Sequence, residues 1–415
     1  MRHRSTIALL TIGLLAVTPA GLRAAEPGPT DTTIHPEAPM DPYPPDLLLV
    51  RGNNDAAFAL LGQMYAGEDV VLSPTSVTTA FAMAAAGADE PTLTQLESVF
   101  GYPPSGQLAP GIRVLGDELV PDEVESELGA TPVFELANVA WLHDDEEVDE
   151  DYQELLDVFF GAGIETIDFE DQEAARAVIN DWIAERTHDR IPELIGEPGL
   201  SADTVLALVN AAYFQAGWMV PFEEGVTAPQ VFTTAAGETV QAPMMHAERT
   251  MSFVLDEDVV AVELPYLGGE FVMTVAVPDD VEQFLTTADA ESWAQLGAVA
   301  TSDRVVLDLP RWEAETTADL AAPLTELGLP IPGGSYPGIL VGEELEVSAV
   351  IHGANITVDE AGTEAAAATT VMMATSAPDP ADPVEIRVDQ PFVYTITHAP
   401  SGLILFAGVE TDPTT

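Results

Sequence analysis

The side chains best suited to chemistry do not form a catalytic or metal-binding motif in this sequence. The seven histidines are scattered, with no pair three or four residues apart on a helix, so no zinc site is predicted. The acidic run 144–151 lacks the Asp, Asn and Gly pattern of a calcium loop and indicates a solvated face. Gly268 and Gly269 stand between two predicted strands, where a hairpin turn explains them without a phosphate-binding loop. We therefore expect no metal, no cofactor and no catalysis by this chain.

The most informative segment is 359–383, which lies between a strand-like stretch, 345–358, and a closing hairpin. At roughly 25 residues it is longer than ordinary connections, and such loops are usually functional or disordered. A segment that is exposed in one state and enters a sheet in another needs one face without charge. At a strand's period of two, this segment has such a face. Its members are Thr363, Ala365, Ala367, Thr369, Val371, Met373 and Thr375. An alanine-rich helix over 363–368 and a flexible tether are the other interpretations.

The elements that must hold this segment are predicted from helix caps and from runs of apolar residues. Ser73 is a helix cap, Pro74 suits the first helical position, and apolar residues continue to Gly87. A second, amphipathic helix begins at Asp171. Strands are predicted at 205–214, 259–265, 271–277, 304–309, 392–397 and 403–408, the last two around a turn at 400–402. The mixture predicts an α+β fold in one domain.

The amino terminus has the features of a secretory signal peptide. Arg2 and Arg4 precede an uncharged run, 7–17, and small residues follow up to Ala25. We assign 1–25 to the signal peptide, 26–46 to a proline-rich flexible leader and 47–411 to a single domain. No later stretch reaches the roughly 18 to 20 apolar residues of a membrane span. The chain has no cysteine. We expect a secreted monomer, extracellular or periplasmic, without disulfides and without a membrane partner.

The charge balance excludes one class of partner and indicates an environment. The chain has 12 basic residues, all arginine, against 70 acidic ones, for a formal charge of −58. Nucleic acid binding requires clustered Lys or Arg, so we exclude it. At high ionic strength the Debye length falls to about 3 Å and self-repulsion largely disappears. We therefore favour a halophilic source, and the alternative is an ordinary acidic extracellular protein.

The stretch 359–370 resembles the proximal hinge of inhibitory serpins, with a glycine, a threonine, a glutamate and four alanines in register. Other stretches resemble the same family in the same order: 71–81 its helix B, 204–222 its third central strand and the next turn, and 389–392 with 406–408 its ending. The similarity covers about residues 50–410. The resemblance implies a serpin fold with three β-sheets, about eight or nine helices and an exposed reactive-centre loop.

The resemblance also implies a function, that of an inhibitory serpin, which we assign to a prokaryotic, halophilic source. A target serine protease would attack the loop and form an acyl-enzyme. The cleaved loop would then insert into the central sheet and trap the protease, so the inhibitor is a suicide substrate. The alternative is a non-inhibitory serpin-fold protein, a binding or chaperone-like module that is cleaved as a plain substrate. The face of the segment 359–383 that lacks charged residues favours inhibition.

The site residues follow from the same resemblance. The hinge consists of Glu360, Gly362, Thr363, Glu364, Ala365, Ala366, Ala367, Ala368 and Thr369. We expect Gly362 to supply φ freedom and Thr363 to be the first residue that enters the sheet. The residues beneath and beside the opening of the sheet, the shutter and breach, are Ser73, Ser76, Asn210, Trp218 and His352.

The usual loop length, counted from Gly362, places the reactive-site bond between Ser376 and Ala377. The proline-containing segment that follows is about four residues longer than is common, so Met373, Ala374 and Thr375 are alternatives. No basic residue lies near, which predicts a protease with an uncharged specificity pocket, elastase-, chymotrypsin- or subtilisin-like. The region 104–128 contains one arginine, so we expect no heparin-type activator.

Overall fold

The computed structural model describes residues 45–121, 130–160, 163–196, 200–202, 204–342, 345–364 and 382–415. The predicted signal peptide and most of the predicted leader lie outside these residues. The first described helix begins at Pro45, so the last two residues assigned to the leader, Pro45 and Asp46, belong to a helix. Proline is suited to a first helical turn because the amide that it lacks has no partner within the helix there.

Nine α-helices occur in the described part of the chain, in agreement with the expected eight or nine. They are α1 (Pro45–Met64), α2 (Pro74–Ala85), α3 (Glu90–Phe100), α4 (Ser105–Glu118), α5 (Glu150–Phe159), α6 (Gln172–Arg186), α7 (Val281–Leu285), α8 (Ala290–Val299) and α9 (Ala321–Glu326). None of the described helices has the length and apolar character needed to cross a membrane.

Fifteen strands accompany these helices in the described residues. They are β1 (Val70–Leu72), β2 (Val133–His143), β3 (Ile164–Ile167), β4 (Leu206–Gly217), β5 (Ala228–Thr233), β6 (Thr239–Leu255), β7 (Val259–Pro265), β8 (Phe271–Pro278), β9 (Thr301–Pro310), β10 (Trp312–Asp319), β11 (Ala349–Val358), β12 (Gly362–Thr363), β13 (Val384–Arg387), β14 (Phe392–His398) and β15 (Leu403–Glu410). The α+β class is confirmed.

The two predicted helices form where their caps place them. The Ser73 side chain accepts a hydrogen bond from the Ser76 amide at the start of α2, and Pro74 is the first helical residue. The Asp171 side chain accepts from the Ala174 amide at the start of α6. Each cap satisfies an amide that the helix itself leaves without a partner.

The strands form two hydrogen-bonded sheets where we expected three. The six-stranded sheet has the order β10-β11-β12-β4-β2-β3, and the larger sheet has the order β1-β15-β14-β8-β7-β6-β9-β13, with β5 paired to β6. The 17-residue strand β6 pairs with β5 at one end, with β9 in the middle and with β7 at the other end. One long strand therefore joins what we expected to be two separate sheets.

The six-stranded sheet is covered on both faces. Alternate residues of β4, such as Leu206 and Leu208, face the larger sheet and belong to the main core. The residues between them, such as Ala207 and Val209, pack with Ile179 of α6 in a second core. This alternation follows from the period of two in a strand.

Two central strands of the six-stranded sheet are joined at one end and separated at the other. β4 and β11 pair in parallel from Ala207 and Ala349 to Ala212 and Ala354. Farther along, the two-residue strand β12 lies between them, paired with Ala216 and Gly217 of β4 and with Val358 of β11. The start of the predicted hinge therefore occupies the open end of this pair of strands.

Candidate functional site

Buried polar side chains lie beneath the joined end of β4 and β11. Asn210 and His352 are neighbours in the parallel register, and His352 Nδ1 is 2.6 Å from Asn210 Oδ1. The Ser73 amide, at the cap of α2, donates to His352 Nε2 over 3.1 Å. An amide nitrogen only donates, so Nε2 accepts and the ring proton resides on Nδ1, which donates to Asn210. These contacts hold His352 as one neutral tautomer.

The same cluster extends to a third central strand. Ser76 donates from Oγ to Asn138 Oδ1 of β2 over 3.2 Å, and Asn138 faces Asn210 in the antiparallel register of β2 and β4. The first turn of α2 is therefore hydrogen-bonded to β2 and β11, and through His352 to β4. Ser73, Ser76, Asn210 and His352 were expected from the resemblance, and Asn138 was missed. Its signal is a single amide inside an otherwise apolar run.

The buried imidazole makes stability depend on pH. Burial lowers the pKa of His352 to about 3. Between pH 6.5 and 3 the His352 imidazole is protonated in the unfolded chain but stays neutral in the native chain. The free energy of unfolding therefore falls as the pH falls, by roughly 1.4 kcal/mol per pH unit. We expect His352→Gln to be less stable than the parent at pH 7 and this deficit to shrink by about 2 kcal/mol or more at pH 4. Denaturant unfolding at both values measures it, and an unchanged deficit would contradict the assignment.

Gly362 is required at the hinge for two reasons, its backbone conformation and the close approach of the neighbouring strand. Its φ is 157°, a positive value that residues with a side chain rarely adopt, so the expected φ freedom is used here. A Cβ atom on Gly362 would lie 2.1 Å from the Ala216 carbonyl oxygen and 2.7 Å from Gly217 Cα. The absence of a side chain therefore allows the hinge to approach the β4 backbone closely.

Thr363 lies inside the sheet, but it is not the first hinge residue there as we expected, because Gly362 already pairs with Gly217 of β4. Its side chain is fully buried, and its Oγ1 lies 2.6 Å from the hydroxyl of Tyr266, which follows β7. Trp218 stacks on Tyr266 with the ring centroids 4.5 Å apart. The Trp218 amide and indole nitrogens donate to the carbonyls of Ala361 and Asp359. Trp218 is therefore in direct contact with the base of the hinge.

Two arginines hold the buried hinge carboxylates. Glu360 accepts from Arg311 at 2.5 Å and also from the Thr227 hydroxyl. Burial alone would raise the pKa of Glu360, but these hydrogen bonds outweigh it and lower the pKa. Glu364 lies 2.6 Å from Arg190 Nε in the segment after α6. Burial raises the pKa of Glu364, and the nearby guanidinium offsets this only in part. Both arginines were missed because they lie far from the hinge in sequence.

Much of the predicted loop lies outside the described residues. Residues 365–381 lie outside, and the predicted hinge, loop-face and reactive-site residues among them are Ala365, Ala366, Ala367, Ala368, Thr369, Val371, Met373, Ala374, Thr375, Ser376 and Ala377. The positions of the reactive-site bond and of the loop's uncharged face therefore stay predictions. The described hinge ends at Glu364, which has a left-handed φ of 54° and whose amide donates to the Thr357 carbonyl of β11.

One group of potential metal ligands occurs among the described residues. His143, Asp144 and Asp145 bring one ligand atom each to within 4.8 Å of one another at the end of β2. Both aspartates are exposed, and the His143 ring already accepts a hydrogen bond from the Asp145 amide. The group lies in the acidic run that the sequence assigns to a solvated face, and it carries no assignment.

Comparison with known proteins identifies the family. The profile described as "Serpin (serine protease inhibitor)" matches residues 51–413. An uncharacterized serpin-like protein of Methanosarcina acetivorans is 30% identical over 376 residues, which cover 88% of this chain and 87% of that protein. Iripin-8 of Ixodes ricinus is 32% identical over 388 residues, which cover 87% of this chain and 92% of that protein.

The fold agrees with that similarity. A solved structure of the thermophilic serpin tengpin in the native state matches with a TM-score of 0.79 at 23% identity, covering 88% of this chain and 94% of that one. The profile spans the α2 cap, the central strands and the hinge described above. The chain therefore belongs to the serpin family.

Proposed function

We propose that this protein is a secreted inhibitor of serine proteases that acts as a suicide substrate. Serpins are generally protease inhibitors rather than enzymes. One observation carries the proposal. The hinge enters the sheet with Gly362 and Thr363 between β4 and β11, while six residue pairs farther along join the same strands directly. The sheet therefore has an entrance at one end, and farther along the two strands would have to separate to admit a new strand between them.

The chemistry of trapping belongs mainly to the protease. Its serine attacks a carbonyl carbon in the loop, the peptide bond breaks, the leaving amine takes a proton, and an ester joins the two proteins. In this chain the residues after Thr363 then extend β12 between β4 and β11. The parallel hydrogen bonds between these strands must break, and the contacts of His352 with Asn210 and Ser73 must change.

Hinge composition supports insertion over plain cleavage. The residues that would enter the sheet after Thr363 are small or neutral on one face, so their burial leaves no charge without a partner. We propose Ser376–Ala377 as the scissile bond, with Met373, Ala374 and Thr375 as alternative sites. The target we propose is an elastase-, chymotrypsin- or subtilisin-like protease, since its uncharged pocket suits these side chains.

Formation of a covalent complex tests this function. The purified protein is incubated with subtilisin, elastase and chymotrypsin at high salt, and the products are analysed by denaturing electrophoresis and mass spectrometry. We expect a stable complex with at least one protease, with a mass near the sum of the protease and the cleaved inhibitor. The released peptide locates the bond. Quantitative loop cleavage with every protease still active would mean that the protein is a plain substrate.

We also propose export from a halophilic, prokaryotic cell. The signal-peptide pattern of 1–25 supports export, and the formal charge of −58 without lysine supports a salty environment. Because salt screens repulsion among carboxylates, the free energy of unfolding should rise by several kcal/mol between about 0.2 M and about 3 M sodium chloride. Denaturation by urea, which is uncharged, measures this rise. Equal stability at both concentrations would contradict the halophilic assignment.

A further inference from the structure

Arg249 of β6 is exceptional among the arginines of this acidic chain. The described residues contain nine arginines, and eight have a side-chain nitrogen within 4.0 Å of a carboxylate oxygen. No carboxylate of the described part lies that close to Arg249. Since the chain has 70 acidic residues, an arginine without an acidic partner requires a reason.

The contacts that Arg249 makes do not neutralise its charge. Its Nη1 donates to the carbonyl oxygen of Val220 and lies 3.5 Å from that of Pro221. The guanidinium carbon lies 4.9 Å from the centre of the Phe222 ring. Carbonyl dipoles and an aromatic face replace only part of the hydration that a buried cation loses. Burial accordingly lowers the pKa of Arg249 to about 10, and the group stays charged at neutral pH.

A cavity of about 280 Å³ lies beside this guanidinium. Its walls are mainly apolar, with Met219 and Val220 on one side, both unusually exposed for their type at 37% and 53%. Ser252 and Ser302 also line it. Glu263 borders the cavity too, but its Oε1 lies against Gly297 of α8. The cavity therefore combines one unpaired cation with apolar walls.

We propose that this cavity binds a small carboxylate that carries an apolar body. The guanidinium fork matches a carboxylate in geometry and charge, and a charged hydrogen bond in a partly buried site is stronger than a neutral one. The apolar walls suit a chain of several carbons, and the volume is close to the lower end of small-molecule sites. The carboxylate of the ligand would pair with the Arg249 guanidinium, which has no carboxylate partner among the described residues.

The site is connected to the hinge through a short turn. Arg249 holds the carbonyls of Val220 and Pro221, and the next residue, Phe222, donates its amide to the Glu360 carbonyl over 2.9 Å. A carboxylate that draws the guanidinium away from those carbonyls loosens the turn on which the base of the hinge rests. The binding site itself does not depend on protease inhibition, so the two proposals fail separately.

Calorimetric titration with octanoate tests the site, with all proteins at one fixed sodium chloride concentration. We expect saturable binding of one octanoate, and no comparable binding of octan-1-ol, which has a similar chain without the charge. Arg249→Gln should weaken octanoate binding at least tenfold, because a charge-assisted contact is lost. Ser302→Asp places a competing carboxylate at the cavity and should weaken binding similarly. Arg304→Gln, at an exposed arginine paired with Glu248, is the matched control and should bind normally.

The same binding measurements include results that would contradict the proposed carboxylate site. No saturable binding by the parent protein would overturn it, as would unchanged binding by Arg249→Gln or equal affinity for octan-1-ol. If Arg249→Gln does not fold, the surface variant Ser302→Asp decides in its place. Octanoate should also raise the melting temperature of the parent and of Arg304→Gln, but not that of Ser302→Asp.

Discussion

Replacing Thr363 with arginine is expected to convert the proposed inhibitor into a plain substrate. Thr363 is fully buried between β4 and β11 and shares a 2.6 Å hydrogen bond with Tyr266. An arginine at this position would have to bury its charge, at a cost of about 3–5 kcal/mol without a partner. The hinge would leave the sheet, and the cleaved loop could not insert through this point.

The measurement is the ratio of trapped complex to cleaved product when the variant meets a protease that the parent traps. We expect this ratio to fall on the order of 100-fold or more, while the rate of loop cleavage stays near that of the parent. Thr363→Ser keeps the hydroxyl for Tyr266 and is the matched control, with a ratio close to that of the parent. Trapping by Thr363→Arg at the parental yield would show that insertion does not begin at this residue.

The second large effect is expected at Glu410, the last residue of β15. Its side chain is fully buried, and Oε1 accepts from the Asp412 amide at 3.2 Å. Oε2 has no hydrogen-bond partner among the described residues. Burial, together with the nearby carboxylate of Asp69, raises the pKa of Glu410 to about 9. The native chain therefore holds a proton at neutral pH that the unfolded chain releases.

This difference in bound protons makes the free energy of unfolding depend on pH. Between pH 4.5 and about 9 the unfolded chain binds fewer protons at this position, so the free energy of unfolding falls as the pH rises, by roughly 1.4 kcal/mol per unit. Glu410→Gln keeps the shape and removes the titration. We expect it to be more stable than the parent at pH 8 by about 2–5 kcal/mol, and by much less at pH 5.

Urea unfolding at pH 5 and pH 8 checks this expectation at one salt concentration. Glu385→Gln, on the exposed side of β13, removes one carboxylate without removing a buried one and is the control. It should leave the pH dependence of the parent unchanged. A Glu410→Gln variant with the same pH dependence as the parent would show that Glu410 is ionised in the native protein at neutral pH.

Local chemistry allowed several elements to be predicted before any tertiary contact was known. Ser73 and Asp171 cap their helices because a short oxygen side chain satisfies a free amide within the next turn. The hairpin around Gly268 and Gly269 forms because both adopt positive φ, at 90° and 80°. The strand predicted at 259–265 forms with those bounds, because apolar and β-branched residues suit a buried strand.

Other predictions were wrong where strand pairing depends on segments that are distant in the sequence. The strand expected over 345–358 begins only at Ala349, because Val347 pairs with Gly333 instead of continuing the central sheet. β2 was not predicted, although it pairs with both β4 and β3 in the sheet. Its first four residues are exposed or half-buried and the next six are all buried, so it lacks the regular alternation of a half-buried strand. The three expected sheets became two because β6 runs through both of the smaller ones.

The sequence by itself determined the composition of the hinge, the family resemblance, the capped helices and the charge of the surface, since each depends on neighbouring residues or on simple counts. Only the tertiary structure decided which groups meet. Ser73 and His352 are 279 residues apart, and Arg190 reaches Glu364 from the segment after α6. Whether a titratable group such as that of Arg249 or Glu410 has a partner depends on how distant segments pack. Pairing across the fold is set by burial and geometry, which no local pattern records.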